Sequence, residues 1–282
     1  MALIGRYNRL VFLHEARPGA YLDGGDHGEI LLPGRYIPDD ARPGDVLDVF
    51  VYRDSEDRLL ATREKPYATV GEYAYLRVVG VSPSGGCFLD WGLDKDLLLP
   101  AREQTQRLQN GAWVVVHVGL DSRTDRVIAS MRLDRWLDPA PPAYEQGQKV
   151  DLLISGETEL GYKAIINHRH VGLLYRGELG TPLAVGQRMP GYIRGLRSDG
   201  KVDLGLDATG YARVAPLSDR ILEELKRSGG RLPFNDDSSP AEIREALGMS
   251  KKAFKQAVGG LYRSGAIRIE KHGISLVRRP GS

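Results

Sequence analysis

The sequence predicts a mainly β protein in which three tandem five-stranded barrels precede a smaller α/β domain. Three observations predict this arrangement. Short β-branched runs alternate with glycine-containing turns at intervals of roughly 8 to 12 positions, which is typical of a small closed β structure. The same landmarks recur about every 70 residues, as expected for a repeat. After Pro216 the hydrophobic period changes from two to about 3.6 residues.

The repeat is visible in three independent landmarks. An aromatic residue follows a glycine-containing turn, a Leu-Leu pair comes next, and a basic residue closes a hairpin. The members of the three sets, in chain order, are Tyr21, Phe88 and Tyr162; Leu31, Leu98 and Leu173; and Arg58, Arg126 and Lys201. From the first copy to the second they move by 67, 67 and 68 positions, and from the second to the third by 74, 75 and 75. We therefore predict three OB-fold barrels, over residues 1–66, 67–144 and 145–211.

Each copy follows the same order of strands and turns. In the first, Pro43-Gly44-Asp45 is predicted to turn into a fourth strand; Asn110-Gly111 and Val185-Gly186 take that place in the later copies. The second copy, the clearest, has its core in Gly85–Gly92, Leu98–Pro100 and Val114–Val118. The run Leu137–Pro142 is too proline-rich for a strand and predicts a semi-rigid linker.

Residues 212–282 predict a winged helix-turn-helix. Ser218 is a candidate cap of a first helix, Ser239-Pro240 begins a second that ends at Gly248, and Ser250 caps a third. The pattern places Phe254, Val258, Leu261 and Tyr262 on one face of the third helix, with the first three pointing into the domain. Alternating residues from Ala266 to Val277 predict a hairpin that turns at His272-Gly273.

Composition excludes several classes of protein. The sequence has no long apolar run and no charged-then-apolar leader, so we expect neither a membrane span nor a signal peptide. A single cysteine, Cys87, excludes an internal disulfide and favours the cytoplasm. The net charges of the four segments are −3, −1, 0 and +6 in chain order, so only the last resembles a polyanion binder.

Four stretches carry a family resemblance: Gly172–Tyr175, Gly191–Arg194, Asp199–Leu204 and Ser250–Lys255. With three barrels of the ribosomal protein S-one type and a winged helix, the chain resembles the bacterial conserved virulence factor B family over essentially its whole length. The resemblance implies an RNA-binding regulator of gene expression, associated with virulence, with no enzymatic reaction and no cofactor. Pro18, Gly85 and Leu160 replace the usual first aromatic, and Pro33, Pro100 and Tyr175 replace the usual histidine. We therefore expect each barrel to bind more weakly than the standard type.

The residues themselves favour single-stranded RNA. The second and third strands of such a barrel form a shallow platform on which bases stack, while neighbouring cations meet phosphates. We predict stacking at Tyr21, Phe88 and Tyr162, although core packing would also explain these aromatics. The predicted phosphate contacts of the barrels, any of which could instead be merely solvated, are Arg58, Arg126, Lys201, Arg35, Arg102 and Arg176. In the last domain they are Lys251, Lys252, Lys255, Arg268 and Lys271, with Arg278 and Arg279 as an extension of that surface.

Two alternatives stay open. The protein could be a DNA-binding transcription factor whose barrels are a docking module, or an adaptor associated with the ribosome. Catalytic and metal chemistry are disfavoured, because no nucleophile stands beside a base and His168-Arg169-His170 has no further ligand at convincing spacing.

Overall fold

The structure, a computed structural model, describes residues 1–179, 181–197, 199–206, 209–270 and 273–277; the side chains of 209–216 and 252 are not described. The chain divides into two compact units. One comprises Met1–Tyr144, Val150–Pro190 and Leu196–Leu204, and the other comprises Glu145–Lys149, Gly191–Gly195 and Gly205–Ser282.

Three closed five-stranded barrels are present, as the repeat predicts. The strands of the first are β1 (Arg6–Ala16), β2 (Gly19–Asp23), β3 (Glu29–Pro33), β4 (Val46–Arg53) and β5 (Leu59–Thr62). Those of the second are β6 (Tyr73–Val81), β7 (Cys87–Asp90), β8 (Leu97–Leu99), β9 (Trp113–Leu120) and β10 (Val127–Ser130). Those of the third are β11 (Lys149–Glu157), β12 (Gly161–Ile166), β13 (His170–Tyr175), β14 (Arg188–Leu196) and β15 (Val202–Gly205).

The three barrels share one topology. Within each, the first three strands are antiparallel neighbours, and the third strand also pairs in parallel with the fifth. The predicted turns before the fourth strands contain Gly44, Gly111 and Gly186, whose φ angles are 100°, 86° and 87°. Glycine adopts this left-handed region without the steric cost that a Cβ would bring, which explains its recurrence at the same turn.

The apolar core of the second barrel extends to Phe50 and Tyr52 of the first. Phe50 of β4 packs edge to face on Trp91 of the second barrel, with 5.7 Å between ring centroids, and both rings are buried. A smaller cluster joins Tyr73 and Val115 of the second barrel to Leu153 and Ile165 of the third. The compact unit that contains these residues is therefore held together by apolar contacts between successive barrels.

The C-terminal part contains α1 (Thr209–Arg227), β16 (Arg231–Leu232), α2 (Pro240–Leu247), α3 (Lys251–Arg263), β17 (Ile267–Glu270) and β18 (Gly273–Leu276). The strands form a sheet in the order β16-β18-β17. This is the predicted winged helix-turn-helix. Part of the predicted turn, His272, lies outside the described residues, whereas Gly273 begins β18.

The predicted helix boundaries are confirmed for α2 and α3. Ser239 and Glu242 form a capping box, Gly248 ends α2 with a φ of 61°, and the Ser250 hydroxyl accepts a hydrogen bond from the Ala253 N–H at 3.2 Å. The prediction for the first helix was wrong. Ser218 lies inside α1, which begins nine residues earlier at Thr209. In the described part of the chain, no helix has the length and apolarity needed to span a membrane.

Candidate nucleic-acid interface

The registers of the three barrels define one equivalent position on the second strand. Tyr21 lies opposite Leu31 and Phe88 lies opposite Leu98, but in the third barrel the residue opposite Leu173 is Lys163. All three point outwards, because Tyr21 is half-buried and Phe88 and Lys163 are exposed. Sequence reasoning missed Lys163, although the place of Tyr162 one residue early relative to the Leu-Leu pair was a signal for it.

Phe88 is the most open aromatic among these three positions. Its side chain is on β7 and is 38% exposed, beside the exposed apolar residues Val79 and Val81 of β6. Gly80, its cross-strand partner, has no side chain to cover the ring. The second barrel therefore presents an accessible ring face where the fold can stack a base.

Tyr21 is in a more crowded environment. The His14 ring stacks on it with 5.1 Å between ring centroids, and His14 Nε2 lies 3.1 Å from a carboxylate oxygen of Glu29. A base could still use the other face of Tyr21, but it would do so next to an acidic side chain.

Tyr162 requires a correction. It lies at the neighbouring, inward position of β12, opposite Leu174, and is only 3% exposed. The guanidinium of Arg176 lies 5.0 Å from the ring centroid and donates a hydrogen bond to the phenolic oxygen at 3.2 Å. The ring therefore has no free face on which a base could stack. Of the two roles predicted for Tyr162, base stacking and core packing, the structure supports core packing.

Arg176 is displaced in the same way. The short 3-10 turns after the third strands span Gly34–Tyr36, Ala101–Glu103 and Arg176–Glu178, so Arg35 and Arg102 are second in their turns whereas Arg176 is first. Arg176 Nη2 lies 2.7 Å from Glu157 Oε1, and this hydrogen bond raises the pKa of the guanidinium. In the third copy, the predicted stacking residue Tyr162 and the predicted phosphate contact Arg176 therefore contact each other.

The predicted hairpin-closing residues do close the hairpins. The main-chain N–H groups of Asp54, Asp121 and Arg197 donate to the carbonyl oxygens of Arg58, Arg126 and Lys201, each at 2.9 Å. Their side chains are exposed, but each forms an ion pair with a carboxylate. Arg58 lies 2.8 Å from Asp54, Arg126 lies 2.9 Å from Asp57 of the first barrel, and Lys201 lies 2.8 Å from Asp199.

The two equivalent arginines of the 3-10 turns are also paired. Arg35 forms an ion pair with Asp94, and Arg102 Nη2 lies 2.6 Å from Asp121 Oδ2. The pKa of Asp121 is lowered, first by a hydrogen bond from the Arg123 N–H and then by Arg102. All six predicted phosphate contacts on the barrels thus have a carboxylate partner that a phosphate would have to displace or share.

On the winged helix, the predicted cations of α3 lie at its N-terminal end. Lys251 is half-buried, and Lys255 is exposed with its Nζ 3.2 Å from Asp236 Oδ2. Arg268 is exposed on β17. The Lys252 side chain is not described, and Lys271, Arg278 and Arg279 lie outside the described residues.

Tyr262 is a second correction. The pattern grouped it on one face with Phe254, Val258 and Leu261, which are buried as predicted, but Tyr262 is 56% exposed. At 100° per residue, Tyr262 projects from the same side of α3 as Lys251 and Lys255, two to three turns further along the helix, and that spacing was the signal in the sequence. The outer face of α3 thus combines an aromatic ring with two ammonium groups.

Within the described residues, no group of three or more His, Cys, Asp or Glu side chains is placed to hold a metal ion. The features that remain, an exposed ring on a barrel and a basic, aromatic helix face, are typical of domains that bind nucleic acids.

Two family models match the chain. Residues 4–64 match the S1 domain and residues 219–276 match the CvfB-like winged helix domain. The fold and these matches define a multidomain protein built from nucleic-acid-binding domain types.

The matches extend to whole proteins. The chain is 28% identical over 269 residues to the uncharacterized protein YitL of Bacillus subtilis, covering 90% of this chain and 87% of that protein. It is 25% identical over 248 residues to conserved virulence factor B of Staphylococcus epidermidis, covering 86% and 83%. The resemblance to the conserved virulence factor B family is therefore confirmed. A crystal structure of a multidomain protein with nucleic acid binding domains from Streptococcus pneumoniae overlaps 97% of this chain and 98% of its own, with 22% identity and a TM-score of 0.41.

Proposed function

We propose that this protein is a non-enzymatic, RNA-binding regulator of gene expression that acts in the cytoplasm and binds single-stranded RNA. The observation that carries the proposal is the exposed ring of Phe88 on the β7–β8 face of the second barrel. In barrels of this fold, that face binds unpaired bases. The four predicted segments, 1–66, 67–144, 145–211 and 212–282, are the proposed functional modules.

Single strands fit this face better than duplexes do. A ring on a shallow strand face can stack only on a base whose own face is free, and the bases of a duplex are already stacked on their neighbours. The neighbours of Phe88 on β6 are the exposed residues Val79 and Val81 and its cross-strand partner Gly80, and none of these carries a charge. The platform would therefore recognise the surface of a base and not a particular hydrogen-bonding edge.

The individual barrels are proposed to bind weakly. The six predicted phosphate contacts already have carboxylate partners, and a phosphate must compete with those carboxylates. Linking several weak sites on one strand raises the overall affinity through effective concentration, without new contacts. This accounts for tandem copies better than one strong site would.

The winged helix would add the electrostatic part of the affinity. Residues 212–282 carry the only strong positive surplus of the four segments, and α3 displays Lys251, Lys255 and Tyr262 together. A third helix of this kind is the element that usually meets nucleic acid. The same observation favours duplex DNA as a second candidate, which would make the protein a transcription factor.

The test is a comparison of affinities for single-stranded RNA, single-stranded DNA and duplex DNA of matched length at one salt concentration. We expect the tightest binding to single-stranded RNA, and Phe88→Ala should weaken it. Trp113→Ala is the matched control, because Trp113 is also an exposed aromatic but lies on β9, outside the β7–β8 platform. Tighter binding to duplex DNA, unaffected by Phe88→Ala, would favour the transcription factor. Binding to none of the three would favour a ribosome-associated adaptor that binds protein.

A further inference from the structure

The second barrel has an open cavity on its outer surface, with a volume of about 490 Å³. It lies between the 3-10 turn after β8, the β9–β10 hairpin and the segment after β10. Four arginines line it, Arg102, Arg123, Arg132 and Arg135, together with the carboxylates of Glu103 and Asp121. The formal charge of the lining is therefore +2.

Both carboxylates already have partners. Glu103 is 8% exposed and accepts a hydrogen bond from the Ser130 hydroxyl at 2.7 Å, while Arg102 and Arg135 lie 3.9 and 3.7 Å from its Oε1. Asp121 is held by Arg102 and by the Arg123 N–H.

Two of the arginines keep most of their hydrogen-bonding capacity. The Arg132 Nε–H donates to the Arg102 carbonyl oxygen at 2.9 Å, which fixes the side chain but leaves its two NH₂ groups for another acceptor. Among the described residues, the guanidinium of Arg123 has neither a hydrogen bond nor an ion pair. A guanidinium pair of this kind matches the oxygens of a phosphate group.

The first barrel shows that this cavity does not follow from the fold alone. The turn after the fifth strand is the same in both barrels, because the Glu64 N–H donates to Thr62 Oγ1 at 3.0 Å and the Arg132 N–H donates to Ser130 Oγ at 3.1 Å. The position of Arg132 is thus occupied by a glutamate in the first barrel. There the surface is also covered, since the Lys95 ammonium of the second barrel donates to the Asp54 carbonyl oxygen at 2.6 Å.

The cavity is close to the proposed base platform, because β10, which contributes to its lining, pairs with β8 of the platform. Phe88 lies opposite Leu98, and Leu98 pairs in parallel with Ile128, which lines the cavity. Two strand spacings separate β7 from β10, roughly 10 Å in all. A strand whose base stacks on Phe88 therefore has an adjacent phosphate within reach of the cavity.

We propose that this cavity is a phosphate-binding site, and that its phosphate comes from the backbone of an RNA strand crossing the second barrel. Arg123 and Arg132 contact the phosphate oxygens, and Arg102 and Arg135, held by the two carboxylates, shape the walls. The RNA source of the phosphate rests on the proposed function, whereas the affinity of the cavity for phosphate does not.

The test compares Arg123→Gln/Arg132→Gln with the wild type. Two lost phosphate contacts should lower the slope of log affinity against log salt by about 1.4 for single-stranded RNA. The control variant, Arg63→Gln/Arg107→Gln, removes the same charge from two exposed arginines outside the cavity. It should change the slope by much less. If the double variant unfolds at a lower temperature than the wild type, the salt slope of the single variant Arg123→Gln is measured instead. The exposed guanidinium of Arg123 has no structural partner among the described residues, so this substitution should leave the fold intact.

An equal change of slope in both variants would overturn the site. If the wild type does not bind RNA at all, the proposed function fails. The affinity of the cavity for phosphate is then tested by measuring the binding of inorganic tripolyphosphate by calorimetry. Binding that is lost in the cavity variant and kept in the control would support a phosphate site that serves another phosphorylated ligand. No binding of tripolyphosphate, or binding that is equal in both variants, would overturn it.

Discussion

The first and second barrels have the same topology and the same landmarks, but they use equivalent surfaces differently. In the first, the face formed by the β4–β5 hairpin and the nearby 3-10 turn contacts the second barrel, through Arg35 with Asp94 and through Phe50 with Trp91. In the second, the equivalent face holds the open arginine-lined cavity. A repeated sequence pattern therefore predicts the fold of each copy, whereas its neighbours decide which surface stays free.

The largest effect should come from the contact between the two barrels. Trp91→Ala removes a ring that is 2% exposed in the core of the second barrel, where it packs on Phe50 of the first, and loss of a large buried aromatic costs about 3 to 5 kcal/mol of unfolding free energy. We expect the first barrel to lose cooperativity with the second, visible as an earlier transition in urea unfolding. Trp113→Ala, at an exposed tryptophan, should change the transition little; equal effects of the two variants would contradict a stabilising contact between the barrels at Trp91.

The second effect concerns one position on the fourth strand at which the first two barrels have different residues. Phe50 packs on Tyr7 in the first barrel, and His117 packs on Tyr73 in the second, so a histidine takes the place of a phenylalanine. Burial, followed by the nearby His168, lowers the pKa of His117 to about 4. Its ring also stacks on Trp136, with 4.5 Å between ring centroids.

The sign of the pH effect follows from that pKa. Between about pH 6.5 and pH 4 the unfolded chain binds a proton at this histidine and the folded chain does not, so stability falls as the pH is lowered through this range. The loss should be on the order of 3 kcal/mol. His117→Phe copies the first barrel and should flatten the profile of unfolding free energy against pH. A profile as steep as that of the wild type would assign the dependence to other groups.

Much of the fold is predictable because its signals are local. Alternating runs, turn glycines such as Gly111, and the caps Ser239 and Ser250 each act within a few residues, and the structure confirms them. The ion pairs of Arg35 and Arg126 are not local. Their partners lie 59 and 69 positions away in another barrel, so no reading of one repeat reveals them.

The errors at the site have a similar origin. Tyr162 precedes Lys163 by one residue, and a shift of one residue in a strand moves a side chain to the opposite face. Only the pairing of Lys163 with Leu173 resolves which of the two points outwards. Tyr262 lies at the edge of the apolar stripe of α3, where the helical period alone does not decide its burial.

A third prediction compares the platforms of the first two barrels. Phe88→Ala should weaken RNA binding by about 1 to 3 kcal/mol if a base stacks on the ring. Tyr21→Ala should weaken it less, because His14 already stacks on Tyr21 and Glu29 is close by. Both affinities are measured by fluorescence anisotropy on the same RNA, with thermal unfolding as the control for folding. A larger loss for Tyr21→Ala would reverse the proposed order of the barrels.

The smallest expected effect extends the comparison to the third barrel. Lys163 occupies the platform position without an aromatic ring, and among the described residues it forms no ion pair, so it can offer a phosphate contact but no stacking surface. Lys163→Gln should lower the slope of log affinity against log salt by about 0.7, the value of one contact on a single strand. Lys149→Gln is the charge-matched control, since Lys149 is exposed at the start of β11. If Lys163→Phe, which copies the second barrel, strengthens binding while reducing its salt dependence, the position is the same platform in both barrels. If that substitution leaves affinity and slope unchanged, the RNA does not reach the third barrel.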